Sequence, residues 1–158
     1  MRSFAVLFAA AALLPTQGLA KPPAQLAEQI LSEAAKIEKS GDLEGAARLY
    51  ETAIIADPAS AEAYVGLGKT QAALDRPKAA KRYFATAVKI DPNKQTALEA
   101  QSVHLIGLGD LMAAEKNINR LKRLCVNGCE ALSSVLKSYD SALEETRTRV
   151  LGKGADGR

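Results

Sequence analysis

The chain repeats itself at a fixed step of 34 residues. Ala56-Asp57-Pro58 returns as Ile90-Asp91-Pro92, and the residues around it return at the same offset. Ala34, Gly68 and Ser102 form one series of small residues, and Ala46, Ala80 and Ala114 form another. Tyr50, Phe84 and Ile118 recur as large apolar residues, and Ala53, Ala87 and Leu121 follow them. Gly41 returns two steps on as Gly109, with Asp75 between them. A period of 20–50 residues marks an architecture in which each repeat is one supersecondary unit that buries its apolar face only against its neighbours. Roughly three such units are then needed for stability, so the weaker third copy has to be counted as real.

Composition assigns the unit to helix. Aromatic residues make up 4% of the chain, there is no Trp, and Ala and Leu dominate. This mixture favours helices packed closely through small residues and leaves no Val/Ile/Thr runs from which to build a sheet. Before the repeats, Arg2 precedes the uncharged apolar run Phe4 to Leu14, and Gly18-Leu19-Ala20 places small residues at a cleavage site. The pattern predicts a signal peptide over 1–20 that is removed after Ala20, and a protein exported to the periplasm or secreted. The run is shorter than the roughly 20 residues that span a bilayer. No Cys follows it, so no lipid anchor is expected. Cleavage would lower the formal charge from +3 to +2, too little to imply nucleic acid. Arg120, Lys122 and Arg123 read as a solvated helix end.

The succession of a small residue, Gly, Ala, an aromatic, Ala and Pro resembles the tetratricopeptide repeat over Ala27 to Gly128. The first repeat, 27–60, matches at Ala34, Ile37, Gly41, Ala46, Tyr50, Ala53 and Pro58. The second, 61–94, matches at Tyr64, Leu67, Gly68, Ala80, Phe84, Ala87 and Pro92. The third, 95–128, keeps Leu98, Ser102, Leu105, Gly109, Ala114, Ile118 and Leu121 but has Cys125-Val126 where Asp-Pro would stand. The resemblance implies an all-α, right-handed superhelical solenoid of about three helical hairpins. A capping helix is expected over 129–149, where Leu132, Val135, Leu136, Tyr139 and Leu143 recur at helical spacing opposite Lys137, Asp140, Glu144 and Glu145. Residues 21–26 read as a short extended lead-in and 150–158 as a disordered tail.

In this family the first helix of each hairpin lines a concave ligand groove. The register places Glu28, Leu31, Ala35 and Glu38 there, then Glu62, Val65, Lys69 and Ala72, then Thr96, Glu99, Val103 and Ile106. Of these, Leu31, Ala35, Val65, Lys69, Ala72, Val103 and Ile106 are expected to contact the ligand. Chaperone-type members grip a terminal carboxylate with Lys, Asn and Arg. Here Leu31, Ala35, Gly66, Thr96 and Ala100 occupy such places, so that clamp is missing. An apolar middle with an acidic rim suits an amphipathic or extended peptide bearing basic residues, while the same apolar residues could serve packing alone. The expected partner is another protein or a peptide, bound without a cofactor. The sequence carries no signal of oligomeric state.

Cys125 and Cys129 are the only cysteines, four apart across a turn. Export makes a structural disulfide the first reading, one that pins the cap where Asp-Pro is lacking. The alternative is a thiol–disulfide redox protein using the same pair, although the spacing is one residue longer than Cys-X-X-Cys. The sole histidine, His104, reads as a packing or surface residue, and no metal site is expected. With one histidine and no nucleophile elbow or phosphate loop, the chain is not expected to be an enzyme.

Overall fold

The computed structural model describes residues 23–155, with side chains over 25–151, and these form seven helices and no strand. They are α1 (Pro23–Lys39), α2 (Leu43–Ala56), α3 (Ala61–Ala73), α4 (Pro77–Ile90), α5 (Gln95–Gly107), α6 (Leu111–Leu124) and α7 (Glu130–Ala155). The first six pair as three hairpins, and α7 closes the stack. The fold is thus the all-α solenoid that the repeat implies. The leader expected over 1–20 lies outside the described residues.

Two boundaries differ from expectation. The lead-in 21–26 is not extended throughout, because α1 begins at Pro23, and proline is tolerated in a first helical turn whose N–H groups have no intrahelical partner. At the other end, residues 150–155 of the supposed disordered tail continue α7. Gly152 and Gly154 each disfavour helix by only about 1 kcal/mol relative to Ala, and no proline intervenes, so a helix already nucleated propagates through them.

Local chemistry sets the hairpin turns. The first helices of the three hairpins end in left-handed residues at Gly41 (φ 92°), Asp75 (φ 57°) and Gly109 (φ 75°). Asp42, Ser60 and Asp110 then cap α2, α3 and α6 by accepting the backbone N–H of Gly45, Ala63 and Ala113, each worth about 1 kcal/mol. Before α4 the equivalent residue is Arg76, which makes no cap hydrogen bond, and Pro77 starts the helix. The recurrent Asp before Pro has a job of its own: the Asp57 and Asp91 carboxylates accept the N–H of Ala59 and Asn93, two residues on.

Packing follows the small residues. Ala34, Ser102, Ala46, Ala80 and Ala114 are wholly buried where the helices of a hairpin cross. Phe84 lies on Gly68 so closely that a Cβ there would stand 2.6 Å from its ring. Tyr50 lies on Gly66 in the same way, joining the first hairpin to the second. The buried hydroxyls of Thr70 and Ser102 donate to the carbonyls of Gly66 and Leu98 one turn back, so neither is left unpaired. Three apolar clusters succeed one another along the axis, the last built from α5, α6 and α7 around Leu98, Leu121 and Val135.

The first helices α1, α3, α5 and α7 approach one another in sequence, whereas the backbones of α2, α4 and α6 stay apart and are linked at their starts by the Arg76–Glu44 and Lys81–Asp110 ion pairs. The hairpins therefore fan outward from an inner wall. No helix among the described residues is long and apolar enough to cross a membrane.

Gly68→Ala is expected to lower unfolding free energy by about 1–3 kcal/mol through overpacking against Phe84, read by urea denaturation. Adding Phe84→Leu should recover part of that loss. Gly107→Ala, where an added methyl meets nothing within 4 Å, should instead be neutral or stabilising by up to about 1 kcal/mol.

Candidate functional site

The inner wall carries two adjoining hollows. One, of about 330 Å³, lies between α1 and α3 and is lined by Leu31, Ala35, Val65 and Gly66 with Glu38 and Glu62 at its edge. The other, of about 400 Å³, lies between α3, α5 and α7 and is lined by Ala72, Phe84, Ala100, Val103, His104 and Ser134, with Glu99 beside them. Lys69 and Thr96 border both, so the two form one groove.

Six of the seven residues assigned to the groove are therefore brought together: Leu31, Ala35, Val65, Lys69, Ala72 and Val103. Ile106 is not among them. It is 8% exposed and belongs to the core cluster with Ala131 and Val135, because α7 packs on α5 as the next inner helix and covers it. Val65 is also nearly buried, so it forms the floor, whereas Val103 is 41% exposed and available to a ligand.

Several lining residues lie beyond those the repeat register assigns to the groove. Ser134 lies 34 residues beyond Ala100, and Ala100 lies 34 beyond Gly66. All three border the groove. Buried Ala63, Ala97 and Ala131 form a parallel series. α7 is thus the first helix of a fourth repeat, a signal present in the sequence at the same step. Phe84 plugs the space between hairpins, as the register implies, and its ring also forms the base of the larger hollow.

The electrostatics are uneven. Glu62 pairs with Lys94, and Glu38 accepts a 2.8 Å hydrogen bond from the Tyr50 hydroxyl. Burial of the phenol, together with that bond and the carboxylate's charge, pushes the Tyr50 pKa well above its usual value. Lys69 makes no ion pair among the described residues, and it stands where the two hollows meet.

His104 packs at a tilt on Phe84, ring centroids 5.3 Å apart, and its Nε2 donates to the carbonyl of Pro77 at 3.0 Å, so it serves packing as expected. No group of three His, Cys, Asp or Glu residues able to hold a metal occurs among the described residues. Cys125 closes α6 and Cys129 precedes α7, outside the groove, with their sulfurs side by side and their Cα atoms 5.5 Å apart.

Comparison with known proteins bears on this arrangement. Residues 38–102 match the family described as tetratricopeptide repeat. The TPR2B domain of yeast Sti1, in a pHsp70 complex, superposes with a TM-score of 0.70 at 20% identity, covering 77% of this chain and 98% of that one. The type III secretion chaperone SycD of Yersinia enterocolitica, in complex with a peptide of the translocator YopD, gives 0.65 at 20% identity, with 79% and 95% covered. The Sgt2 TPR domain of Aspergillus fumigatus gives 0.69 at 18%, with 77% and 82% covered. At these identities the likeness is one of fold. No curated protein matches the sequence.

The Tyr50–Glu38 bond ties α1 to α2 and fixes a groove acid. Because the phenol is held neutral in the fold, the stability it provides is complete below the unfolded tyrosine pKa of about 10 and is lost as pH rises above it. Tyr50→Phe should cost about 1 kcal/mol near neutral pH and flatten the fall of melting temperature in alkaline buffer.

Proposed function

This chain is a tetratricopeptide-repeat protein, and from that premise we propose that it is an exported, non-catalytic adaptor whose inner groove holds a segment of another polypeptide. The observation that carries the reading is the groove itself: apolar side chains of α1, α3 and α5 gathered beneath a discontinuous acidic rim, with Lys69, which makes no ion pair among the described residues, between two hollows. A segment that buries two apolar anchors, one per hollow, would bring its intervening backbone or an acidic group to Lys69 and basic groups to Glu38, Glu62 and Glu99. Two of the proteins of like fold are described in complexes with pHsp70 and with a YopD peptide, which supports a polypeptide as ligand. The leader-like segment 1–20 supports export, with the periplasm as the compartment.

The same compartment gives the cysteine pair its part. Bridged, Cys125 and Cys129 fasten the end of α6 to the start of α7 where the first two repeats use Asp-Pro. By the loop-entropy relation so short a closure contributes about 2 kcal/mol. The competing redox reading requires a reactive couple. Cys125 is 7% exposed, which favours a structural one.

Two measurements check these statements. Amphipathic peptides with paired apolar residues and flanking lysines, titrated against the chain, should bind with submillimolar affinity. Binding should weaken by at least about tenfold, or 1.4 kcal/mol, in Val103→Glu, an exposed site that tolerates a charge. Equal binding by the variant would remove the groove from the account. For the cysteines, Cys125→Ser with Cys129→Ser should lower stability by about 2 kcal/mol, and the couple should have a reduction potential below about −300 mV. A potential near those of redox proteins would favour the alternative.

A further inference from the structure

α7 has 26 residues, twice the 13 of the α5 helix against which it packs. Its first half is held in place: Ala131 and Val135 are buried, and Leu132, Leu136, Tyr139 and Ala142 pack partly against the last core cluster. From Leu143 to Leu151 every side chain is exposed. An isolated helix shorter than about 12–15 residues is marginal in water, so this overhang lacks the burial that keeps the other helices formed.

Three large apolar residues interrupt the otherwise charged and polar surface of the overhang. Leu143, Val150 and Leu151 are 42%, 66% and 66% exposed, and at the nearby α5–α6 turn Leu108 and Met112 are 46% and 79% exposed. A cleft lined by Leu108, Leu111, Ala142 and Arg149 joins the turn to the overhang. Moreover, Leu132, Leu136, Tyr139, Leu143, Thr146 and Val150 alternate at steps of four and three, which is the seam of a two-helix coiled coil. That seam begins where α7 packs on the solenoid and runs without a break onto the free arm. A fourth hairpin's second helix is not what it awaits, because Leu136 occupies the place of Ala34, Gly68 and Ser102 and blocks the close crossing.

We infer that the α7 overhang is the contact through which two copies of this chain associate, with the arms antiparallel. Charge selects this arrangement. When Leu143 of one copy faces Thr146 of the second and Tyr139 faces Val150, the flanking Asp140 comes opposite Arg147 of the second copy, and two-fold symmetry makes the pair twice. Sliding one arm by a heptad sets Asp140 against its own symmetry mate, and a parallel pair places Ala142 beside Arg147 and forms no ion pair. Among the described residues Arg147 pairs only with Glu144, at 3.8 Å with both side chains over 70% exposed, a contact too weak to hold it back. Residues 143–151 line neither hollow of the groove, so this inference stands apart from the adaptor reading.

Sedimentation equilibrium of the chain over a concentration series tests it. The wild type should approach the mass of two chains, and Leu143→Asp with Val150→Asp should halve that mass while the far-ultraviolet helical signal of the solenoid persists. Arg147→Asp alone should weaken association by at least about tenfold, since like charges then oppose each other twice. Asp140→Arg combined with Arg147→Asp should restore it, and this exchange carries the test even if the apolar variant fails to fold. A single-chain mass for the wild type throughout, a dimer that survives in a folded Leu143→Asp/Val150→Asp chain, or a charge exchange that restores nothing would each overturn the inference.

Discussion

Helix axes come within about 8–10 Å of each other only where neither helix presents bulk at the crossing. In this chain the condition is met on both sides of each hairpin, by Ala34, Gly68 and Ser102 on the first helices and by Ala46, Ala80 and Ala114 on the second. Close crossing turns pairs of short helices into stiff wedges. The large residues that follow, Tyr50, Phe84 and Ile118, can then be spent between elements. Were the crossings wider, those rings would be needed to fill the hairpins, and nothing would be left to stack one wedge on the next.

The groove is a consequence of that division. Glycine opposite Tyr50 and Phe84 lets each ring pack closely on an inner helix, and each ring in turn borders one of the two hollows. The side chains that remain on this wall are Leu31, Val65, Val103 and their neighbours, with glutamates at the edge. Binding capacity thus arises from packing constraints. What is bound is set by the few groups left over, Lys69 foremost.

Much of this was legible because the repeat converts one correct alignment into three hairpins at once. The turns followed from Gly41, Asp75 and Gly109, and the inner face followed from the register. What could not be read had specific causes. Ile106 has the spacing of a groove residue, but its fate depends on α7, and the broken Asp-Pro signal at Cys125-Val126 hid that α7 keeps the inner-helix register. Ser134 was lost for the same reason. The extent of α7 escaped because Gly152 and Gly154 look like an ending, whereas each only weakens a helix already under way and no proline follows to stop it. Glu38 was placed in the groove, but its bond to Tyr50 joins residues on different helices, and no spacing rule reports it.

The backbones of the inner helices meet in succession, while those of the outer helices stay apart and each outer helix packs instead on the inner helix that follows it. Every joint of the stack therefore passes through an inner helix. A change in the core face of α3 or α5 is felt by two hairpins at once, whereas a change on the solvent face of α2, α4 or α6 stays local.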